Sequence, residues 1–274
     1  MRATGARPAG SQDEAGAAQA VRQMFDSIAP NYDRLNHVLS ASVDRLWWWQ
    51  TARRFKAILA DPNAAVLDIC CGTGHMTRAL LRGRPKGSRP ILAADFAREM
   101  LARGARQFGA PPSETSTGDS SGSSSAAEPY AIPIEADALR LPLRPASQDL
   151  IVSAFGFRNL VNYEAGLREF LRVLTPGGQL GILDFSEPGG LVGAGYRVYF
   201  RRVLPAVARI IGGKEGAYRY LPASVGSFPP PQEMLALMRA VGYTNCHWQP
   251  YTFGIAGLYT GTRAAAPQSD AGAP

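Results

Sequence analysis

Cysteine is scarce in this chain. Only three occur: Cys70 and Cys71 side by side, and Cys246 far from both. Two adjacent thiols and a distant one give neither a disulfide framework nor the spacing of a zinc site. That predicts a protein of a reducing compartment with no metal centre. Long apolar runs are missing too, and none approaches the roughly 20 residues that a membrane span needs. The opening stretch, MRATGARPAGSQDEAGAAQA, is small and polar. It lacks the apolar centre of a secretory signal, so a cytoplasmic location is expected. Acidic residues are outnumbered by basic ones, 22 to 29. The net charge of +7 favours anionic partners, either nucleic acid or an anionic membrane face.

Apolar residues make up 46% of the 274, enough for one sizeable core. Composition marks residues 1–20 and 264–274 as unstructured tails. The Ser-rich stretch PPSETSTGDSSGSSSAAEP (111–129) reads as a flexible surface insertion in a single domain spanning 21–263. Within that domain, strand and helix signals alternate. Short apolar runs stand at AVLDIC (65–70), ILAADF (91–96), AIPIEAD (131–137), DLIVSAF (149–155) and QLGILDF (179–185). HMTRALLR, AREMLARGARQF, YEAGLREFLRVL and PQEMLALMRAVG follow a helical period between or after them. PGG at 176–178 reads as a helix stop, and TNCHWQPY with GIAGLYTGTR reads as a terminal antiparallel pair. The expected architecture is α/β: a doubly wound, seven-stranded, mostly parallel sheet. Ligands of such sheets sit beyond the carboxyl ends of the strands.

Two basic amphipathic segments lie outside this alternation. DRLWWWQTARRFKAIL (44–59) sets Trp48, Ala52, Phe55 and Leu59 on one stripe. YRVYFRRVLPAVARII (196–211) sets Tyr196, Tyr199, Phe200, Val203 and Val207 on another, with Pro205 as a kink. Both suit packing on the sheet, and both suit a lid or a membrane-facing surface.

VLDICCGTGHMT carries the most chemistry. A strand ends near Asp68, a turn holds Gly72, Thr73 and Gly74, and a helix begins. Glycines let a backbone pass close to a ligand, and a helix start offers unpaired N–H groups. The dinucleotide pattern G-x-G-x-x-G fails here, because Thr77 takes the third glycine's place. Asp95 ends the second strand, where a carboxylate suits a ribose diol. Asp137 follows the third strand, placed to accept from an adenine amine with the Ala138 N–H beside it. Three carboxylates at three successive strand ends disfavour a phosphate-rich ligand and favour a cationic nucleoside. S-adenosylmethionine, a sulfonium, is therefore the expected cofactor. At the fourth strand's exit, VSAFGFRNLVN places Arg158 and Asn159 between apolar patches.

These stretches together resemble the ubiquinone/menaquinone biosynthesis C-methyltransferases, of the demethylmenaquinone methyltransferase type. The similarity runs from about Val21 to Arg263. MFDSIAPNYDRLNHVLS (24–40), Trp47, LDICCGTG, SAFGFRNLVNY, LREFLRVLTPGGQLGILDFSEP (167–188) and YRYLPASVGSFP (218–229) carry it. The chain departs from the family pattern at Leu35, Asp44, His75, Thr175 and Asp184. The resemblance implies a class I S-adenosylmethionine-dependent methyltransferase fold with an N-terminal helical segment and a helical lid. It implies methylation of a ring carbon of a prenylated quinol, either demethylmenaquinol or the ubiquinol precursor. Ionising the quinol hydroxyl is then the hard step, and a donor or base must sit about 3 Å from it. Arg158 is the first candidate, as a donor to the developing oxyanion, since a guanidinium does not readily act as a base. Asn159 is the second, with Phe155 and Phe157 as walls of the acceptor pocket. Tyr32, Asp33, Asn36, Tyr218 and Tyr220 are wall or relay candidates, and His37 and His75 are less favoured bases. The substrate's tail implies transient contact with an anionic membrane surface at the inner face of the cell membrane, with Trp47, Trp48, Trp49, Arg201 and Arg202 as the contact. No nucleic-acid module is evident, and a homodimer is compatible with the pattern. Two other readings stay open: a methyltransferase for another small aromatic or lipid acceptor, and a non-catalytic quinone-binding scaffold.

Overall fold

The computed structural model describes residues 5–8, 10–11, 13–29, 43–110, 126–186, 188, 193 and 224–265. The segment 196–211, most of the Ser-rich insertion, and Tyr32, Asp33, Asn36, His37, Tyr218 and Tyr220 lie outside them. Strands form where apolar runs predict them: β1 (Val66–Ile69), β2 (Ile91–Asp95), β3 (Ala131–Glu135), β4 (Gln148–Ala154), β5 (Leu174–Phe185), β6 (Tyr243–Tyr251) and β7 (Ala256–Arg263). They make one sheet in the order β3-β2-β1-β4-β5-β7-β6. The first five strands of that order pair in parallel. β7 runs antiparallel between β5 and β6. This is the doubly wound sheet that the sequence predicts.

The described helices are α1 (Glu14–Ile28), α2 (Asp44–Arg54), α3 (Lys56–Leu59), α4 (His75–Leu81), α5 (Arg98–Ala105), α6 (Tyr163–Val173) and α7 (Pro231–Val241). Among the described residues no helix is long and apolar enough to cross a membrane. Leu167 and Phe170 of α6 and Met234 and Met238 of α7 pack with Leu67, Ile151 and Ile182 on one face of the sheet. Phe55, Leu59, Ala79, Leu80 and Leu101 pack with Val66, Val152 and Leu183 on the other. Neighbouring residues of a strand point to opposite faces, so a strand covered on both sides must be apolar throughout. That is why β1, β2 and β4 read as uninterrupted runs. The two edge strands are different: each carries a proline, Pro133 in β3 and Pro250 in β6.

Three local details differ from the sequence reading. α1 begins at Glu14, inside the stretch that composition marks as a tail, because Asp13 caps it by accepting from the Gly16 N–H at 2.7 Å. β5 starts at Leu174, directly after α6, and runs through the PGG that reads as a breaker. Gly177 tolerates this with a φ of 84°, and Leu174 pairs with Gln148 before the register shifts. The expected helix 44–59 is broken at Phe55, whose φ of −101° separates α2 from α3.

The predicted stripe of that segment is nonetheless intact. Trp48, Ala52, Phe55 and Leu59 are all buried. Phe55 fills the hollow over Gly181, where an added Cβ would come within 2.6 Å of its ring. Trp47 is buried as well, so of the three tryptophans expected on a membrane-facing surface only Trp49 is exposed, at 53%. Phe55→Ala should lower stability by about 3–5 kcal/mol, the usual cost of emptying a buried aromatic site. A shift of the denaturant midpoint with an unchanged slope measures it.

Candidate active site

β1 and β4 are adjacent and parallel, but the chain leaves β1 for α4 on one face and β4 for α6 on the other. A cleft opens at such a switch point. It holds about 1000 Å³ of space, counting the part open to solvent. Its floor is the glycine turn after β1. Gly72 and Gly74 have φ of 54° and 81°, and Cys70 is held at 58° without being glycine. Phe155, at the exit of β4, also sits at 58°. The two exits touch: a Cβ on Gly156 would lie 2.2 Å from the Cys70 Cβ. Left-handed backbone at two non-glycine residues costs about 1–3 kcal/mol each, and such strain collects at functional sites.

Asp95 ties the turn in place. Its Oδ2 accepts from the Gly72 N–H at 2.7 Å and its Oδ1 from the Ala97 N–H at 2.8 Å. Each oxygen keeps lone-pair capacity for a ligand hydroxyl. Asp95, Asp137, Ala138, Gly72, Thr73 and Asn159 all line the cleft, as the sequence predicts for them. Asp137 stands exposed at the rim, its Oδ1 accepting from the Leu139 N–H at 2.9 Å.

Asp68, Gly74 and Arg158 are not among the described lining residues. Asp68 shares the face of Val66 but lies two residues deeper than Asp95, level with Ala93, so its side chain enters the layer under α4 below the cleft. There it is wholly buried, and its Oδ2 accepts from Thr77 Oγ1 at 2.5 Å. Its Oδ1 has no hydrogen-bond partner. Gly74 is the cap of α4, packed so closely that a Cβ would lie 2.2 Å from the Phe108 ring. Arg158 turns toward β5. Its Nη1 donates to Asp184 Oδ1 at 2.9 Å, its N–H to Asp184 Oδ2 at 3.0 Å, and its Nη1 also to the Phe155 carbonyl. Its guanidinium lies 5.3 Å from the Phe185 ring centroid.

Phe155 lines the cleft as expected, but Phe157 does not. The 3-10 turn Phe157–Asn159 swings that ring into the core, stacked on Tyr163 at 5.6 Å. Trp47 at 5.8 Å and Phe185 at 4.6 Å between ring centroids back Phe155 without lining the cleft themselves. Sequence reasoning also missed a second wall. Trp48 stacks flat on His75, 4.6 Å apart with a 2° tilt. His75 opens α4 and Trp48 lies on the inner stripe of α2, so only the packing of those helices brings them together.

Burial pushes Asp68 up to about 7, against the pull of the Thr77 hydrogen bond. Burial pushes Asp95 up to about 6, against the amides of Ala97 and Gly72. A cation placed nearby would favour the ionised forms. No described residue lining the cleft is Lys or Arg. Over Gly72 the nearest atom to an added Cβ is Met100 Cε at 3.6 Å, which leaves backbone room for a ligand. The Asp95 and Asp137 carboxylates and an open glycine turn, with no described Lys or Arg lining the cleft, fit a cationic nucleoside and repel a pyrophosphate.

The fold and this cleft define an α/β methyltransferase that uses S-adenosylmethionine. The ubiE/COQ5 methyltransferase family matches residues 12–263, and the chain belongs to it. Among similar proteins is a demethylmenaquinone methyltransferase of Deinococcus radiodurans, 41% identical over 96% of this chain and 100% of the relative. A ubiquinone/menaquinone biosynthesis C-methyltransferase of Geotalea daltonii is 38% identical over 89% of this chain and 96% of the relative. Solved structures are similar in fold. A SAM-dependent methyltransferase of Thermotoga maritima has a TM-score of 0.56 at 15% identity, covering 89% of this chain and 99% of that one. The [4+2]-cyclase SpnF has a TM-score of 0.56 at 16% identity, covering 91% and 97%.

The raised carboxylates fix a sign. An unfolded aspartate titrates near pH 3.9, so between about pH 4 and 7 the folded chain holds protons that the unfolded chain has lost. Stability should therefore fall as pH rises through that window and level off above it. The melting temperature without ligand should drop from about pH 5 to 7, and Asp68→Asn should flatten the drop. Cofactor binding near pH 6 should release protons, read by calorimetry in buffers of different ionisation enthalpy. Identical heats in all buffers would show the carboxylates already ionised.

Proposed function

We propose that this enzyme methylates a ring carbon of a prenylated quinol, with demethylmenaquinol as the first acceptor to test and the ubiquinol precursor as the second. The observation that carries the reading is the full-length match to relatives named for that chemistry, 41% identical in the Deinococcus case. The shape of the cleft supports it. Phe155 and the stacked Trp48 and His75 line the cleft beside the cofactor turn and give it aromatic surface suited to a planar ring. The acceptor's tail makes the cytoplasmic face of the membrane the natural place of reaction.

When bound, S-adenosylmethionine supplies a methyl group already activated by its sulfonium. The protein must then align the acceptor carbon and meet charge on the quinol oxygen. Asn159, on the cleft wall, is the donor for that oxygen. Arg158 supports it from behind. Its pairing with the buried Asp184 fixes the turn that carries Asn159, and neutralises a guanidinium that would otherwise repel the sulfonium.

Labelled S-adenosylmethionine with a demethylated naphthoquinol or benzoquinol tests the reading. Transfer to one of them is expected. No transfer to either, with cofactor binding intact, would sink it. Asn159→Ala should lower turnover about 100-fold while cofactor affinity stays nearly unchanged, as for loss of one oxyanion donor. Arg158→Ala strands Asp184 in the core and should cost about 3–5 kcal/mol of stability. Arg158→Lys keeps the charge, so its effect on turnover and on the acceptor KM separates positioning from folding.

A further inference from the structure

A second hollow lies on the far side of the Trp48–His75 stack. Arg45, Trp48 and Trp49 of α2 and His75, Arg78 and Arg82 from α4 and its end surround it. Its space is about 700 Å³, including the part open to solvent. Arg45 and Arg82 are exposed, and neither has a carboxylate partner among the described residues. No acidic side chain offsets them on either helix: α4 has none, and the sole one in α2, Asp44, is buried. The hollow gathers three arginines, of which Arg45 and Arg82 reach solvent.

Exposed apolar side chains border it. Leu46 is 48% exposed and Trp49 53%, and at i, i+3 they share the outer face of α2. Arg45 and Arg53, each one turn from Trp49, flank them, and the Arg53 guanidinium sits 5.2 Å from the Trp49 ring centroid. Phe253 is 82% exposed nearby, on the β6–β7 turn. That turn is bonded to α2 by Trp47 Nε1, which donates to Thr252 Oγ1 at 2.8 Å. Thr252, Phe253 and Gly254 all have positive φ, 44°, 57° and 86°, and this backbone holds the ring out to solvent. Three of the four large hydrophobics exposed among the described residues therefore belong to α2 or to the turn bonded to it.

We propose that the hollow between α2 and α4 binds the phosphate of a phospholipid headgroup and seats the outer face of α2 on an anionic bilayer. Arg45 and Arg82 hold the phosphate, while Leu46 and Trp49 rest at the boundary of headgroup and acyl chain. Tryptophan beside arginine is the composition of an interfacial helix, and each such cation contributes to holding a negative surface. A soluble anion would explain the arginines but not the exposed rings around them. The proposal deepens the acceptor reading and rests on it for its purpose: a membrane seat next to the cleft shortens the path of a tailed quinol.

Flotation of the full chain with vesicles tests it. Binding to vesicles of equal parts phosphatidylcholine and phosphatidylglycerol is expected, with little to phosphatidylcholine alone. Arg45→Ala with Arg82→Ala should weaken that binding about thirtyfold, the loss expected of two arginines at an anionic surface. Trp49→Ala should weaken it several-fold. Arg103→Ala with Arg106→Ala removes the same charge from the end of α5 and should change little. Equal losses from both pairs would reduce the effect to net charge and overturn the site. Loss by neither pair, or binding of free glycerol phosphate without binding of vesicles, would overturn it too. Methyl transfer to a quinol without a tail is the separate readout. It should be unchanged in the Arg45/Arg82 pair, and its absence in the unaltered enzyme would sink the acceptor reading while leaving the vesicle result standing.

Discussion

Two parallel neighbours, β1 and β4, send the chain to opposite faces of the sheet, and the rest of the molecule is arranged around that divergence. The gap between the two exits has to be open above and closed below. It is closed by contact, with Gly156 laid against Cys70 so tightly that a single methyl group would not fit. Left-handed backbone at Cys70 and Phe155 opposes that contact with about 1–3 kcal/mol each. The buried strands on either side supply the stability that offsets it. Asp95 then adds a third strand end to the junction through the Gly72 amide.

The charges follow the same geometry. Buried carboxylates under and beside the turn are kept near neutrality in pKa because the core cannot solvate them. A group in that condition gains most from a cation that arrives without its own water. The Arg158 guanidinium, at the exit of β4, is turned from the cleft and paired with the buried Asp184. Among the described residues, Asp95 and Asp137 face the cleft while Arg158 is held in the scaffold.

Much of this was legible in the residues alone, for reasons that can be named. β1, β2 and β4 announce themselves because both of their faces are covered. Asp95 and Asp137 were readable as cleft residues because a position at a strand end is also a position at the cleft. Asp68 was expected beside them, but it lies two residues deeper than Asp95 on the same face of the sheet, level with Ala93, where Thr77 of α4 covers it. Phe157 was hidden for another reason: a 3-10 turn rotates by a different angle than the extended chain before it. The start of β5 was misread because Pro176, Gly177 and Gly178 usually break structure, whereas here strand pairing absorbs them. The Trp48–His75 wall had no local signal at all, since its halves come from two helices that meet only in the folded chain.

The prolines of the edge strands have a consequence outside catalysis. An open sheet offers its unpaired N–H and C=O groups to any extended chain that drifts past, including another copy of itself. Pro133 in the middle of β3 and Pro250 near the end of β6 each remove one donor from an outer strand. A row of donors with a missing member is a poor template. Both open ends of this sheet are therefore blunted against growth into fibres, by residues that take no part in the chemistry between them.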